Sequence, residues 1–416
     1  MKRRWLAIVA VAASAFVPVK AQAMEAGPTP LSMVRSLQFV QDAVIKGDHS
    51  AIEMQRHLLT VIDERLRAAS AETFYDQHGM DAAIIYALSG GNPATLPMLA
   101  RRFPEAGFDP RLMPLLEEHL RGRGRGVFEP LRDILVHYQG TRIEPYLTLV
   151  AANAAALSSP ADSLPLFDWA RLLAPGSIIE EAALRRSVEV SVRLGMVDEG
   201  LKRAERYARR FLHSPYAGQF ADLFVELVLS HPDDVKSERI AETLAFMDEA
   251  RQRSIYLRIA RRAAINGNRT LAQEAAAAAE GLGVQDEKAQ ALANLYSGAA
   301  AIPGEDVSGV AAAVSSIDDA ALSPRDRALR SAAESIAAAV TRPPILEAIA
   351  EPVAVSVEPD ASSAPDTTQP AMMPQGEGAP ETTDAPTDAV KDEVDGFVDD
   401  RRAVLESIDA LLEEDR

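Results

Sequence analysis

The sequence predicts an all-α fold, an irregular tetratricopeptide-like α-solenoid built from helix pairs. Two observations predict it. Apolar residues recur at spacings of three and four from residue 30 onward, and residues that start and stop helices fall between those stripes. A third supports them: no stretch alternates apolar and polar residues as a half-buried strand does, so β content should be close to zero.

The first helix opens at Thr29, a side-chain cap, with Pro30 at its first position, and Gly47 closes it. Leu31, Val34, Leu37, Val40 or Gln41, and Val44 form its buried stripe. Ser50 to Glu53 reads as a capping box for a second helix that buries Ile52, Leu59, Ile62 and Leu66. Asp109-Pro110 opens another, Ser177 to Glu180 is a second capping box, and Asn266-Gly267-Asn268 is a tight break.

The pairing shows in the glycines. Leu194-Gly195 ends one helix and a second runs from Asp198 through Leu212. Ile265-Asn266-Gly267 ends another, followed by Leu271 through Glu280. Gly195 and Gly267 are two units of about 36 residues apart, close to the tetratricopeptide period of 34. Alanine-rich second helices such as Ala272 to Ala279 suit close helix contacts. The Trp-Leu-Gly-Tyr pattern of that repeat is not reproduced, so a large helical bundle is the alternative.

Arg121-Gly122-Arg123-Gly124-Arg125-Gly126 interrupts the helices, because three glycines cannot sustain one. It divides an expected N-terminal helical subdomain, 24–126, from a helical-repeat region, 127–342. In so acidic a chain it reads as a loop that pairs with carboxylates, not as a nucleic-acid contact.

Both ends differ from the body. Lys2, Arg3 and Arg4 precede an apolar run from Trp5 to Val17, and Ala21 and Ala23 give the small-x-small pattern of a signal peptide cut after Ala23. Residues 343–392 carry seven prolines between Pro352 and Pro386, many acids and no aromatic residue. This predicts a disordered acidic, Pro-rich tether. Residues 393–416 return to helical spacing. Phe397, Val404, Ile408 and Leu411 share one stripe of a C-terminal amphipathic helix, which needs the solenoid, another copy of itself or a partner's groove to cover it.

Composition excludes several functions. There is no cysteine, hence no disulfide, zinc–thiolate site, cysteine nucleophile or lipidated N-terminal cysteine. Net charge is −18, and the expected leader holds four basic residues and no acid, so its removal leaves about −22. Nucleic acid selects the opposite sign. None of the seven histidines forms a short-spaced ligand pair. His49 and His57, read as one helix, lie about 12 Å apart along it. No Gly-x-Ser-x-Gly elbow is present. Glu117-Glu118, Glu180-Glu181 and Asp233-Asp234 read as solvated or helix-end acids. A lytic transglycosylase would need a lysozyme-like domain where the tether stands, and aromatics that the tether lacks. No catalytic residue, metal site or cofactor is expected.

What remains are basic stripes. Lys202, Arg203, Arg206, Arg209 and Arg210 line one helix, and Arg251, Arg253, Arg258, Arg261 and Arg262 another. They read as a salt-bridged surface or, more sharply, as a patch for an acidic segment. With Phe397, Val404, Ile408 and Leu411, the first stripe is the candidate partner surface.

The stretch Val34-Arg35-Ser36-Leu37-Gln38-Phe39-Val40-Gln41-Asp42, continuing through Gly47 to Arg56, resembles the periplasmic motility protein MotC family of rhizobial-type flagellar motors. The leader, long helical body and acidic proline-rich stretch are also similar. The resemblance implies a non-catalytic periplasmic role in flagellar rotation, motility and chemotaxis, with the periplasmic part of the stator subunit MotB as partner. The alternatives are a tetratricopeptide-like scaffold for another envelope assembly and a divergent peptidoglycan lytic enzyme.

Overall fold

A computed structural model describes residues 28–342, apart from 233, 283–285, 303 and 305. The expected leader, tether and C-terminal helix lie outside the described residues. Among the described residues there are eighteen α-helices and no strand. They are α1 (Pro30–Ile45), α2 (Ala51–Ala68), α3 (Glu72–Tyr75), α4 (Gln77–Leu88), α5 (Thr95–Arg102), α6 (Leu112–Leu120), α7 (Phe128–Leu135), α8 (Glu144–Ser158) and α9 (Pro160–Leu173). The chain continues through α10 (Ile178–Leu194), α11 (Val197–Arg210), α12 (Ala217–Ser230), α13 (Ser237–Leu244), α14 (Glu249–Ile265), α15 (Arg269–Glu280), α16 (Glu287–Ala301), α17 (Val307–Ser315) and α18 (Pro324–Thr341).

Local chemistry accounts for most boundaries. The Thr29 hydroxyl accepts the Ser32 amide at 3.3 Å to start α1, and Gly47, at φ 107°, turns the chain out of it. Ser177 accepts the Ile179 amide at 3.2 Å, while Glu180 reaches back to the Gly176 amide at 2.6 Å. Asn268 caps α15 through the Leu271 amide at 3.0 Å. Two expected starts differ. Ser50 precedes α2 as expected, but its hydroxyl donates to Asp48 and leaves the capping-box bond unmade. Asp109-Pro110 forms the turn before α6, which begins at Leu112. His49 also belongs to the α1–α2 turn and does not share a helix with His57.

The helices pack as a solenoid. The helices α8 to α12 each pack on the next, as do α14 to α18, and α13 packs on α11. The even-numbered ones also touch in series, α8 to α10, α10 to α12, α12 to α14, α14 to α16 and α16 to α18. The turns inside successive pairs sit at Ser159, Gly195, His231 and Gly267, a constant 36-residue step, and the α16–α17 connection follows at the same interval. The Arg-Gly loop, centred on Arg123 between α6 and α7, falls in the same register. Its arginines pair with α6: Arg123 clasps Glu118 at 2.7 and 2.8 Å, and Arg121 pairs with Glu117.

The apolar core forms two large clusters. The first runs from Leu31 to Val190 and crosses the 126/127 junction without a break. The second runs from Leu184 to Leu322 and includes Ile45 of α1. They meet at α10, which gives Ile179, Ala183 and Val190 to the first and Leu184 and Val188 to the second.

One polar site in the first half has a pH consequence. The Asp109 carboxylate accepts the Arg111 amide at 2.8 Å, the Arg111 guanidinium at 2.9 Å and the Tyr138 hydroxyl at 2.9 Å. The Arg111 side chain above all holds its pKa down to about 2, against an ordinary 3.8. A depressed carboxylate pKa stabilises the fold above the unfolded value, and that contribution is lost as pH falls through the folded one. Asp109→Asn should therefore flatten the stability profile between about pH 4 and pH 2, as read by urea titration at fixed pH.

Candidate partner-binding surface

The structure separates the α11 basic stripe into two faces. Lys202, Arg206 and Arg209 lie one helical turn apart on the exposed face. Lys202 pairs with Glu199 at 2.9 Å. Arg209 pairs with Glu205 at 2.5 Å and lays its guanidinium over the Phe246 ring, 4.7 Å from the centroid. Arg206 has no ion-pair partner among the described residues. Arg203 is different: its side chain is 6% exposed and joins α9 to α11 by bonds of 2.9 Å to both Asp168 and Glu199. It is an internal tie, not a surface contact. Arg210 bridges to Glu180 at 3.1 Å. Phe397, Val404, Ile408 and Leu411 lie outside the described residues, as do Ala21 and Ala23.

Glu180-Glu181 read from the sequence as solvated or helix-end acids; both stand in the first turn of α10, and both are buried, not solvated. Asp233 is outside the described residues. Glu181 accepts the Tyr207 hydroxyl at 2.8 Å and the Arg185 guanidinium at 3.0 Å. These partners come from one turn along α10 and from the next helix, α11. Glu144 is a further buried acid. It accepts the Gly140 amide at 2.6 Å and the indole N–H of half-exposed Trp169 at 3.2 Å.

The α14 arginines are mostly ties between helices. Arg262 pairs with Glu226 and Arg258 with Asp222, both on α12. Arg261 pairs with Asp326 of α18 at 3.1 Å, an acid that also accepts the Tyr296 hydroxyl at 2.9 Å. The salt-bridged reading of both stripes therefore describes most of their members.

A groove lies between α12 and α14. Phe220, Met247 and Ile255, all buried, form its floor with half-buried Leu212. His49 and His213 stand at its edge with Arg251 and Arg258. The α1–α2 turn reaches this place because Gly47 lies against His213, where an added Cβ would come within 2.7 Å of the histidine Cβ. Sequence reasoning missed that His49 and His213, 164 positions apart, line the same groove. The one available signal was Ile45, apolar at the very end of α1 and buried in the second cluster.

Among the described residues, no group of three or more histidines, aspartates or glutamates is placed to hold a metal. No described helix is long and apolar enough to cross a membrane.

Fold and surfaces together define a helical-repeat protein of the α-solenoid class, whose conspicuous features are ion-paired faces and a shallow groove. The profile of a family described as Chemotaxis protein MotC matches residues 1–416. Chemotaxis protein MotC of Rhizobium meliloti (strain 1021) is 47% identical over 398 residues, covering 92% of each chain. The chain belongs to the MotC family.

Proposed function

We propose that this chain is a non-catalytic periplasmic protein required for flagellar motor rotation, which binds and stabilises the periplasmic part of the stator subunit MotB. The observation that carries this reading is the match to the MotC family over the full length, with 47% identity to a chemotaxis protein. The leader read from Lys2 to Ala23 supports the compartment. The fold supports the mode of action: a solenoid offers surface in proportion to its repeats. A partner that docks on that surface is shifted toward the conformation that fits it. Binding also protects the partner from unfolding by mass action, about 2.7 kcal/mol at a hundredfold excess over Kd.

Deleting the gene tests the reading. Cells should keep assembled flagella and lose swimming, and a plasmid copy should restore it. Swimming that persists in the deletion strain overturns the motor role. Retrieval of the tagged chain from periplasm should bring MotB with it; retrieval without MotB removes the stator contact.

A further inference from the structure

We propose that the groove between α12 and α14 is the docking site for an acidic segment of a partner protein, which inserts one aromatic or branched aliphatic side chain. This rests on the reading of the chain as a partner-binding protein and adds where the contact is made and what chemistry it selects.

Charge is the first argument. The chain has 61 acidic and 43 basic residues, yet no carboxylate lines this groove. Its ionisable groups are His49, His213, Arg251 and Arg258, drawn from the α1–α2 turn, the α11–α12 turn and α14. Asp222 pairs with Arg258 and Asp248 with Arg251, but neither acid is part of the lining. Both pairs are solvent-exposed, the acids at 68% and 56%. Exposed pairs of this kind are held by about 1 kcal/mol or less, so an arriving carboxylate can share or displace them. The arrangement attracts negative charge in an otherwise acidic field.

Shape is the second. The groove encloses ≈ 270 Å³ over an apolar floor. That falls below the roughly 300–1,000 Å³ of small-molecule sites. It suits a single anchor side chain within a larger contact, the pattern by which buried anchors dominate protein interfaces. The wall on the α12 side is kept low by Gly218, where an added Cβ would meet no atom within 4 Å. Nothing in the packing of α12 requires glycine there, and a larger residue would add its bulk to the groove's lining.

The test measures binding of a defined probe to the full chain purified from periplasm. The probe is a fluorescein-labelled heptapeptide of six glutamates around a central phenylalanine. Two controls replace the glutamates by lysines or the phenylalanine by alanine. The probe should bind at least tenfold more tightly than either control. Gly218→Leu should weaken it at least tenfold with Tm unchanged or raised, since leucine is the better helix former and meets open space. Arg258→Gln should weaken it severalfold. Equal affinity for the three peptides, or unchanged binding by Gly218→Leu, overturns the proposal. So does a concentration-dependent dimer that Gly218→Leu dissolves, because a second copy would then be the occupant. The two readings fail separately. Lost peptide binding with MotB still retrieved removes the groove alone, and peptide binding without MotB retrieval removes the stator reading alone.

Discussion

Phe220→Ala should cost about 3–5 kcal/mol of stability, the range for truncating a fully buried aromatic ring. Phe220 is completely buried on α12. Its ring stacks on Tyr207 of α11 at 4.2 Å and lies 6.2 Å from Phe224 one turn along. Truncation removes the middle ring of this row, and the helices around it are held too firmly to close the cavity. The effect should also be local. Phe220 belongs to the second apolar cluster, and among the described helices α10 divides its length between both while α1 gives the second cluster its last residue, Ile45. In a solenoid each repeat is stabilised chiefly by its neighbours. Hydrogen exchange should therefore quicken across α11 to α16 and change little in α2 to α7. A uniform increase along the chain would show one cooperative unit and defeat the argument for locality.

The legibility of this fold followed its backbone chemistry. Gly195 and Gly267 are visible as repeat turns because both adopt the left-handed conformation, φ 64° and 76°, that favours glycine. The intervening turns are not visible. Ser159 and His231 both have φ −140°, open to any residue, so no composition signal marks them. The glycine spacing consequently shows every second step of a 36-residue register. The Ser50 box fails for a different reason. Its helix is present, but Ser50 takes helical backbone angles, φ −66° and ψ −24°, where a capping residue is extended, and a pattern of residue types does not show that conformation.

The candidate surface was harder to read, because a run of basic residues does not say which way each one points. Arg203 is one residue from Lys202, a rotation of about 100° that carries it from the outer face to the inner one. The same helix held the clue. Gly200, Arg203 or Ala204, Tyr207 and Phe211 follow the buried spacing, so Arg203 stands on the apolar stripe. Its role is then set by Asp168, 35 residues earlier, which no local pattern reveals. The groove has the same character. Its four basic groups come from three separate places in the chain, and only packing brings them to one edge.

Glu181→Ala is expected to cost about 3 kcal/mol, near the lower end for breaking a buried charge pair. The carboxylate is wholly buried and has two partners, Arg185 and Tyr207. Removing it strands the phenol in the core and leaves the guanidinium without its anion. The cost stays at the lower end because Arg185 keeps other contacts. It reaches Gln219 at 3.0 Å and covers the Tyr216 ring at 4.7 Å. Glu181→Ala combined with Arg185→Met should recover part of the loss, since no unpaired charge is left. Urea midpoints of the single and double variants check this, and additive costs would show that the pair is not coupled. The phenol gives an independent reading. Burial and then the Glu181 charge push the Tyr207 pKa above that of an ordinary tyrosine. A raised phenol pKa stabilises the fold below the unfolded value near 10, and this contribution disappears as pH rises through the folded one. Without Glu181 the phenol should ionise at lower pH, seen by absorbance in alkaline titration. The consequence reaches the surface, because Tyr207 stacks directly on Phe220 and Phe220 floors the groove. Glu181→Ala should thus weaken the acidic probe without touching any group that meets it, whereas Arg258→Gln should weaken it with Tm nearly constant. That opposite pairing of stability and affinity tells a support of the groove from a group that contacts its ligand.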